Sequence, residues 1–294
     1  MKSHDFKKKL IIGTAQFGMN YGINNSNGMV KIKEIKKILK YAEENNIIFL
    51  DTAISYGMSE HNLGKAGCNN HKIISKIPKN LFKDRNLDRE IFKKVKKSIS
   101  LLNHHSLYGI LLHNGNDLLE QKGQEIYNSL IHCKEKGLVE KIGISVYEAK
   151  DAFEIIKSFE IDIVQIPFNI LNRDLEFSGL LNKLKDKNIE VHIRSVFLQG
   201  LLLMSPQKMP VYFHQWNNIW DSWSNWLKKN RINPLEACLK FALEKEEIDK
   251  VIVGIDNFKQ LKEIIEITKR KYYPSIPNEI CSNDKYLINP SYWE

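Results

Sequence analysis

The chain has 294 residues, 43% of them hydrophobic, and a formal net charge of +9, which is enough apolar material for one large core or two ordinary ones. No apolar run approaches the roughly 20 residues that span a bilayer, and the early stretch "KKKLIIGTAQFG" is too short and glycine-interrupted for a secretory signal. The charge is mostly lysine spread along helix-like faces, as in "KIKEIKKILK" and "FKKVKKSIS", with few arginines; such faces solvate a surface and argue against nucleic acid as a partner.

The first predicted strand is "KLIIGTA" (9–15). Helical spacing follows in "KIKEIKKILKYAEENN", where Ile32, Ile35, Ile38, Leu39 and Ala42 share one stripe with charges opposite. "IIFLDTA" (47–53) comes next, and a tyrosine, Tyr56, stands five residues beyond its aspartate, Asp51. "KIISK" (72–76) precedes the helical "LDREIFKKVKKSISLL", and "YGILLH" (108–113) precedes "DLLEQKGQEIYNSLIHCKEKG", with Gly137 at the expected C′ position. The pattern continues through "KIGISV" (141–146) and "YEAKDAFEIIKSF", then "DIVQIPF" (162–168) and "LEFSGLLNKLKDKN". The seventh run is "EVHIRSV" (190–196) and the eighth "KVIVGI" (250–255), after a helix "NPLEACLKFALEKEE" whose Pro234 suits a first turn.

Short β-branched runs without polar alternation suit strands buried on both faces of a parallel sheet. Eight of them alternating with helices predict a (β/α)8 TIM barrel, one domain over residues 1–294. An open doubly wound sheet is the other arrangement of such units, but no G-x-G-x-x-G follows the first strand. The connection before Pro234 is the longest and carries "FHQWNNIWDSWSNWLKK". Its Trp216, Trp220 and Trp223 fall at i, i+4 and i+7, either a face docking on the barrel or an aromatic wall over its mouth.

In such a barrel the active site lies at the C-terminal ends of the strands. The polar residues there are Asp51 and Tyr56, Lys76, His113, Ser145, Gln165 and Arg194, each from a different strand after the first pair. The chemistry that fits is proton delivery to a carbonyl. A free phenol with pKa about 10 is a sluggish acid at neutral pH; a nearby ammonium stabilises the phenolate, and a carboxylate keeps that ammonium charged. An imidazole can orient the substrate oxygen. None of these groups can supply a hydride, so a nicotinamide cofactor must. A metal-dependent hydrolase would need histidine and carboxylate ligands at several strand ends, but His104 and His105 precede the fourth strand. Cys68, Cys133, Cys238 and Cys281 are widely spaced with no CxxC pair, which suits reduced thiols in a cytoplasmic protein and no metal site.

With these residues in place, the chain resembles the aldo/keto reductase superfamily over nearly its whole length. The blocks "IIGTAQFG", "FLDTAISYGMSEHNLGKA", "IISKIPK", "ILLHN", "KIGISVY", "VQIPFNILNR", "RSVFLQGLL" and "VIVGIDNFKQLKEI" match the family in order. The resemblance implies Tyr56 as general acid, tuned by Lys76 and Asp51, with His113 orienting the carbonyl. It implies NAD(P)(H) bound extended across the barrel mouth. Ser145 and Gln165 would hold the nicotinamide carboxamide, and Gly13, Thr14 and Asp51 would lie beneath it. Ser195, Phe197, Leu198, Gly200 and Leu201 would cover the pyrophosphate, and Gly254, Asp256, Gln260 and Glu263 would meet the adenosine. Phe17 and Trp216 would join Tyr56 and His113 around a small-molecule carbonyl or alcohol.

The sequence departs from the family pattern at two places. Val146 follows Ser145 where asparagine is usual, and Arg194 stands where an aromatic ring usually stacks on the nicotinamide. A guanidinium can stack on a ring but repels an oxidised, positively charged one, which favours the reduced cofactor. After the eighth strand no basic residue occupies Gly254, Ile255, Asp256 or Gln260, so NAD(H) is expected over NADP(H). The same scaffold also serves cofactor-sensing regulatory proteins resembling channel-associated β-subunits. The oligomeric state is not legible, and a monomer is compatible with everything above.

Overall fold

In the computed structural model, which describes residues 5–79, 86–270 and 273–293, eight parallel strands close into one barrel in chain order. They are β1 Leu10–Gly13, β2 Phe49–Asp51, β3 Lys72–Ile77, β4 Leu107–Leu112, β5 Val139–Ser145, β6 Ile163–Pro167, β7 Glu190–Arg194 and β8 Lys250–Gly254. Each falls within or beside one of the predicted apolar runs, and β1 pairs with β8 to complete the cylinder. The (β/α)8 barrel expected from the alternation is therefore the observed fold. Among the described residues no helix is long and apolar enough to cross a membrane.

Helices α1 (Ile32–Glu44), α2 (Ser59–Ala66), α3 (Leu87–Leu102), α4 (Gly123–Glu135) and α5 (Ala149–Ser158) lie between the first six strands. On α1, Ile35, Ile38, Leu39 and Ala42 are buried as the stripe requires. Gly137 adopts φ +68°, ending the α4 segment in the left-handed conformation expected of it. The segment after β6 differs from the single predicted helix. It forms α6 (Asp174–Phe177) and α7 (Leu180–Asp186), because Gly179 at φ +77° breaks the run.

After β7, α8 (Asn217–Asn230) and α9 (Pro234–Leu243) pack before β8, followed by α10 (Phe258–Thr268) and a short α11 (Lys285–Ile288). Pro234 opens α9, and the Asn233 side chain accepts from the Glu236 amide at 2.8 Å as its N-cap. Trp220, Trp223 and Trp226 are buried, and their indole N–H groups donate to the carbonyls of Phe213, Leu202 and Ser275. Of the two uses open to the tryptophan face, docking on the barrel describes α8.

The interior of the cylinder is a small apolar plug of Ile11, Phe49, Ile74, Tyr108, Leu111, Ile163 and Ile252. Side chains repeat every second residue along a strand. Two residues above members of this plug stand Gly13, Asp51, Lys76, His113, Gln165 and Gly254. The strand period thus lifts one polar layer onto the apolar floor.

Candidate active site

Of the layer above the plug, Gly13, Asp51, His113, Gln165 and Gly254 line a cavity of about 770 Å³, with Lys76 buried behind them. Strand register sets it: Gly13 pairs with Asp51, and Ser145 with Gln165, at the same rim. Lys76 and Asp51 are both buried, with Lys76 Nζ 2.5 Å from Asp51 Oδ1 and 2.9 Å from the Thr52 carbonyl. Gln165 Nε2 donates to Asp51 Oδ2 at 2.8 Å. Both carboxylate oxygens are engaged, which offsets the cost of burying the charge.

Tyr56 follows on the loop after β2, where Gly18 and Gly57 bring the first two loops together. A Cβ on Gly18 would collide with the Tyr56 carbonyl, and Gly57, at φ +55°, faces the Gly18 carbonyl. Beneath that loop, Thr14 Oγ1 donates to the Asp51 carbonyl at 2.9 Å, and Ser59 Oγ donates to the Thr14 carbonyl at 2.9 Å. The Tyr56 ring meets the His113 ring edge-on at 5.7 Å and has Lys76 Nζ 5.0 Å from its centroid. Tyr56, Lys76, Asp51 and His113 are therefore brought together.

Their electrostatics differ from expectation in one respect. Lys76 was expected to pull the Tyr56 phenol down; burial, and then Asp51, hold it well above its usual range. The physical reason is that the ammonium bonds Asp51 and Thr52, not the phenol. Burial also lowers Lys76, opposed by Asp51. His113 is pushed down to about 4 by burial and then by Lys76, so it is neutral at pH 7, with Ser55 Oγ 3.1 Å from Nδ1.

This shift makes a stability prediction. From pH 6.5 down to about 4, the unfolded chain binds a proton that folded His113 does not, so the His113 contribution is lost as pH falls through that window. A His113→Gln variant should show a flatter decline of urea-unfolding free energy between those pH values than the parent. The difference is at most about 3 kcal/mol, reduced by the site's partial exposure. Equal slopes would contradict the assignment.

Gly13, Thr14, Arg194, Ser195, Phe197, Gly200, Gly254, Asp256, Gln260 and Glu263 line the cavity with Asp51, Tyr56, His113 and Gln165. Ser145 is buried at the rim beside Gln165. Leu198 and Leu201 are fully buried in the core behind the β7 loop. Gly200, at φ +93°, donates its N–H to the Phe197 carbonyl, and its missing side chain admits Asn24, whose Cβ would lie 2.6 Å away from a Cβ there. Phe17 is fully buried outside the lining. Trp216 also stands apart from the lining, with its indole N–H on Asp284 Oδ2 at 3.0 Å.

Sequence reasoning missed Met19, Tyr21, Ser55, Tyr147, Pro290 and Ser291, all on the wall. The first four lie on loops directly after strand ends, a position that itself marks them. Pro290 and Ser291 come from the chain's last segment, for which no local pattern speaks.

The residues present fit a carboxamide-bearing cofactor on one internal observation. Gln165 Nε2 is turned to Asp51, so Gln165 Oε1 is left buried and without a partner. A buried unpaired acceptor costs roughly 1–3 kcal/mol, and a carboxamide N–H₂ donor would satisfy it.

A model of the aldo/keto reductase family matches residues 9–280. No curated protein matches the chain. Among solved structures, the chain is similar to the aldo-keto reductase AKR11C1 from Bacillus halodurans in its holo form, with a TM-score of 0.72 at 20% identity, covering 90% of this chain and 88% of that one. It is also similar to the thermostable aldo-keto reductase Tm1743 bound to the inhibitor epalrestat, with a TM-score of 0.68, 20% identity and 92% of each chain covered. For PA4992 from Pseudomonas aeruginosa the TM-score is 0.66 at 20% identity, over 88% of this chain and 89% of that one. At such identity the structural likeness speaks to the fold.

Proposed function

The chain belongs to the aldo/keto reductase family, and on that footing we propose that it is an NAD(P)(H)-dependent oxidoreductase. It reduces an aldehyde, ketone or sugar-like carbonyl, or oxidises the corresponding alcohol. The observation that carries this reading is the meeting of Tyr56, His113 and the Lys76–Asp51 pair above the barrel plug. Gln165 and Ser145 would hold the carboxamide of the cofactor, with Gly13 and Thr14 beneath it and Gly254, Asp256, Gln260 and Glu263 toward its adenosine. Bound there, the reduced nicotinamide would supply a hydride.

The chain's own residues handle the proton. Tyr56 keeps its phenolic hydrogen at neutral pH because burial and Asp51 disfavour the phenolate. It donates that hydrogen to the carbonyl oxygen as negative charge develops there. Lys76, fixed between Asp51 and the Thr52 carbonyl, makes no bond to the phenol but keeps a positive charge 5.0 Å from the centre of its ring, which favours the phenolate left behind. Neutral His113 donates a hydrogen bond that orients the oxygen. The test is loss of reduced-nicotinamide absorbance with a panel of aldehydes and keto-sugars. No turnover with NADH or NADPH on any of them would overturn the reading.

The same site favours NAD(H) in this proposal. Asp256 and Glu263 are the charged residues that the loop and helix after β8 bring to the cavity, while Lys259 and Lys262 are exposed outside its lining. Asp256 is held by Gln260, whose Oε1 accepts from the Asp256 amide at 2.7 Å and whose Nε2 donates to Asp256 Oδ2 at 3.2 Å. A carboxylate there repels a ribose 2′-phosphate and accepts from a free 2′-hydroxyl. Lacking a charge-assisted pair, NADPH should bind about ten- to a hundredfold more weakly than NADH, a difference of roughly 1.5–3 kcal/mol. Dissociation constants measured side by side decide it, and Asp256→Arg should move the preference toward NADPH.

A further inference from the structure

The cavity contains one cation that the proton chemistry above does not use. Arg194 is the only lysine or arginine among its described lining residues, and no described carboxylate pairs with it. Its Nη2 donates to the Val146 carbonyl at 3.1 Å and its Nη1 to Ser195 Oγ at 3.4 Å. That leaves most of the five N–H donors of a guanidinium without a protein acceptor. The guanidinium carbon lies 4.4 Å from the Tyr147 ring centroid, so a stack and a carbonyl bond together hold its plane.

The two departures from the family pattern, Val146 and Arg194, are thus bonded to each other. Of the three acids that line the cavity, Glu263 stands on α10 and forms no pair with Arg194, and the other two are already occupied. Asp51 is bonded to Lys76 and Gln165, and Asp256 to Gln260. Arg194 is the last residue of β7, paired with Pro167 at the same rim as Gln165, and it lines the cavity together with Tyr56, His113 and Tyr21. A half-buried guanidinium without a counter-ion is costly, and a bound anion relieves that cost.

We propose that Arg194, framed by Tyr147 and Tyr21, is a subsite for an anionic group, so that the substrate is a carbonyl compound carrying a carboxylate or a phosphate. This rests on the reading of the site as a carbonyl reductase. Both anions present oxygens that a planar guanidinium takes in a fork, and tyrosine hydroxyls beside it can donate to the same oxygens. Tyr21 and Tyr147 line the same wall as Arg194.

The experiment compares pairs that share the reacting aldehyde and differ in whether they carry the anionic group. One pair is 4-carboxybenzaldehyde and methyl 4-formylbenzoate; the other is glyceraldehyde 3-phosphate and glyceraldehyde. The expected result is a kcat/KM ratio of about ten to a hundred in favour of the charged member of at least one pair. The pair with the larger ratio identifies the anion. Arg194→Met should bring that ratio close to one, Arg194→Lys should keep part of it, and Arg194→Gln retains a donor for Val146 if the methionine variant folds poorly. Any change in cofactor binding alters both members of a pair alike and cancels in the ratio.

A ratio near one in the parent enzyme for both pairs would overturn the proposal, as would a ratio that Arg194→Met leaves unchanged. Calorimetry with terephthalate and 3-phosphoglycerate separates the two readings. Binding that Arg194→Met abolishes, without turnover of any aldehyde, would keep the subsite and sink the reductase; turnover without charge preference would do the reverse.

Discussion

Tyr56→Phe is expected to lower carbonyl reduction by roughly 10²–10⁴-fold while leaving the fold and cofactor affinity intact. The ring is retained, so its edge-on contact with His113 at 5.7 Å survives. No described group hydrogen-bonds the hydroxyl, which lies on a residue lining the cavity. Removing it strands no partner, and the stability change should stay within about 1 kcal/mol. Steady-state kinetics, with urea unfolding and cofactor titration on the same preparation, separate these effects. Near-parental turnover would remove Tyr56 from the role assigned to it.

Lys76→Met should be damaging in a different way. It leaves Asp51, only 3% exposed, facing a thioether where an ammonium stood at 2.5 Å. Breaking a buried pair from one side costs about 3–5 kcal/mol, because the remaining charge is uncompensated. Gln165 Nε2 still donates to the carboxylate at 2.8 Å and moderates the loss. Adding Asp51→Asn removes the stranded charge, so the double variant should regain a large part of the stability lost by the single one. In any residual activity, the limb where rate falls with rising pH should move upward, since an ammonium 5.0 Å from the centre of the Tyr56 ring has been removed. Parental stability and an unmoved limb together would show that Lys76 does neither job.

Both expectations could be framed from sequence, because the tetrad is a product of strand period and strand order. Each member sits at or just after the end of an apolar run. Counting by two from Phe49, Ile74 and Leu111 reaches Asp51, Lys76 and His113. What the sequence could not give was how these groups share their hydrogen bonds. Lys76 was expected to lower the Tyr56 phenol, yet it is committed to Asp51 and Thr52, and burial dominates instead. Burial depth and donor allocation depend on every neighbouring loop at once.

The sequence by itself determined the eight strands, the stripe on α1, the left-handed stop at Gly137 and the proline start of α9, since each rests on the period or the backbone preference of residues close in the chain. Tertiary structure alone decided that Trp220 and Trp223 face the core and not the cavity, and that Gly18 and Gly57 bring two loops together under Tyr56. It also brought Pro290 and Ser291 to the cavity wall, and set Arg194 against Val146 across the intervening strand. These contacts join residues tens to hundreds of positions apart, and no local periodicity encodes which loops meet once the barrel has closed.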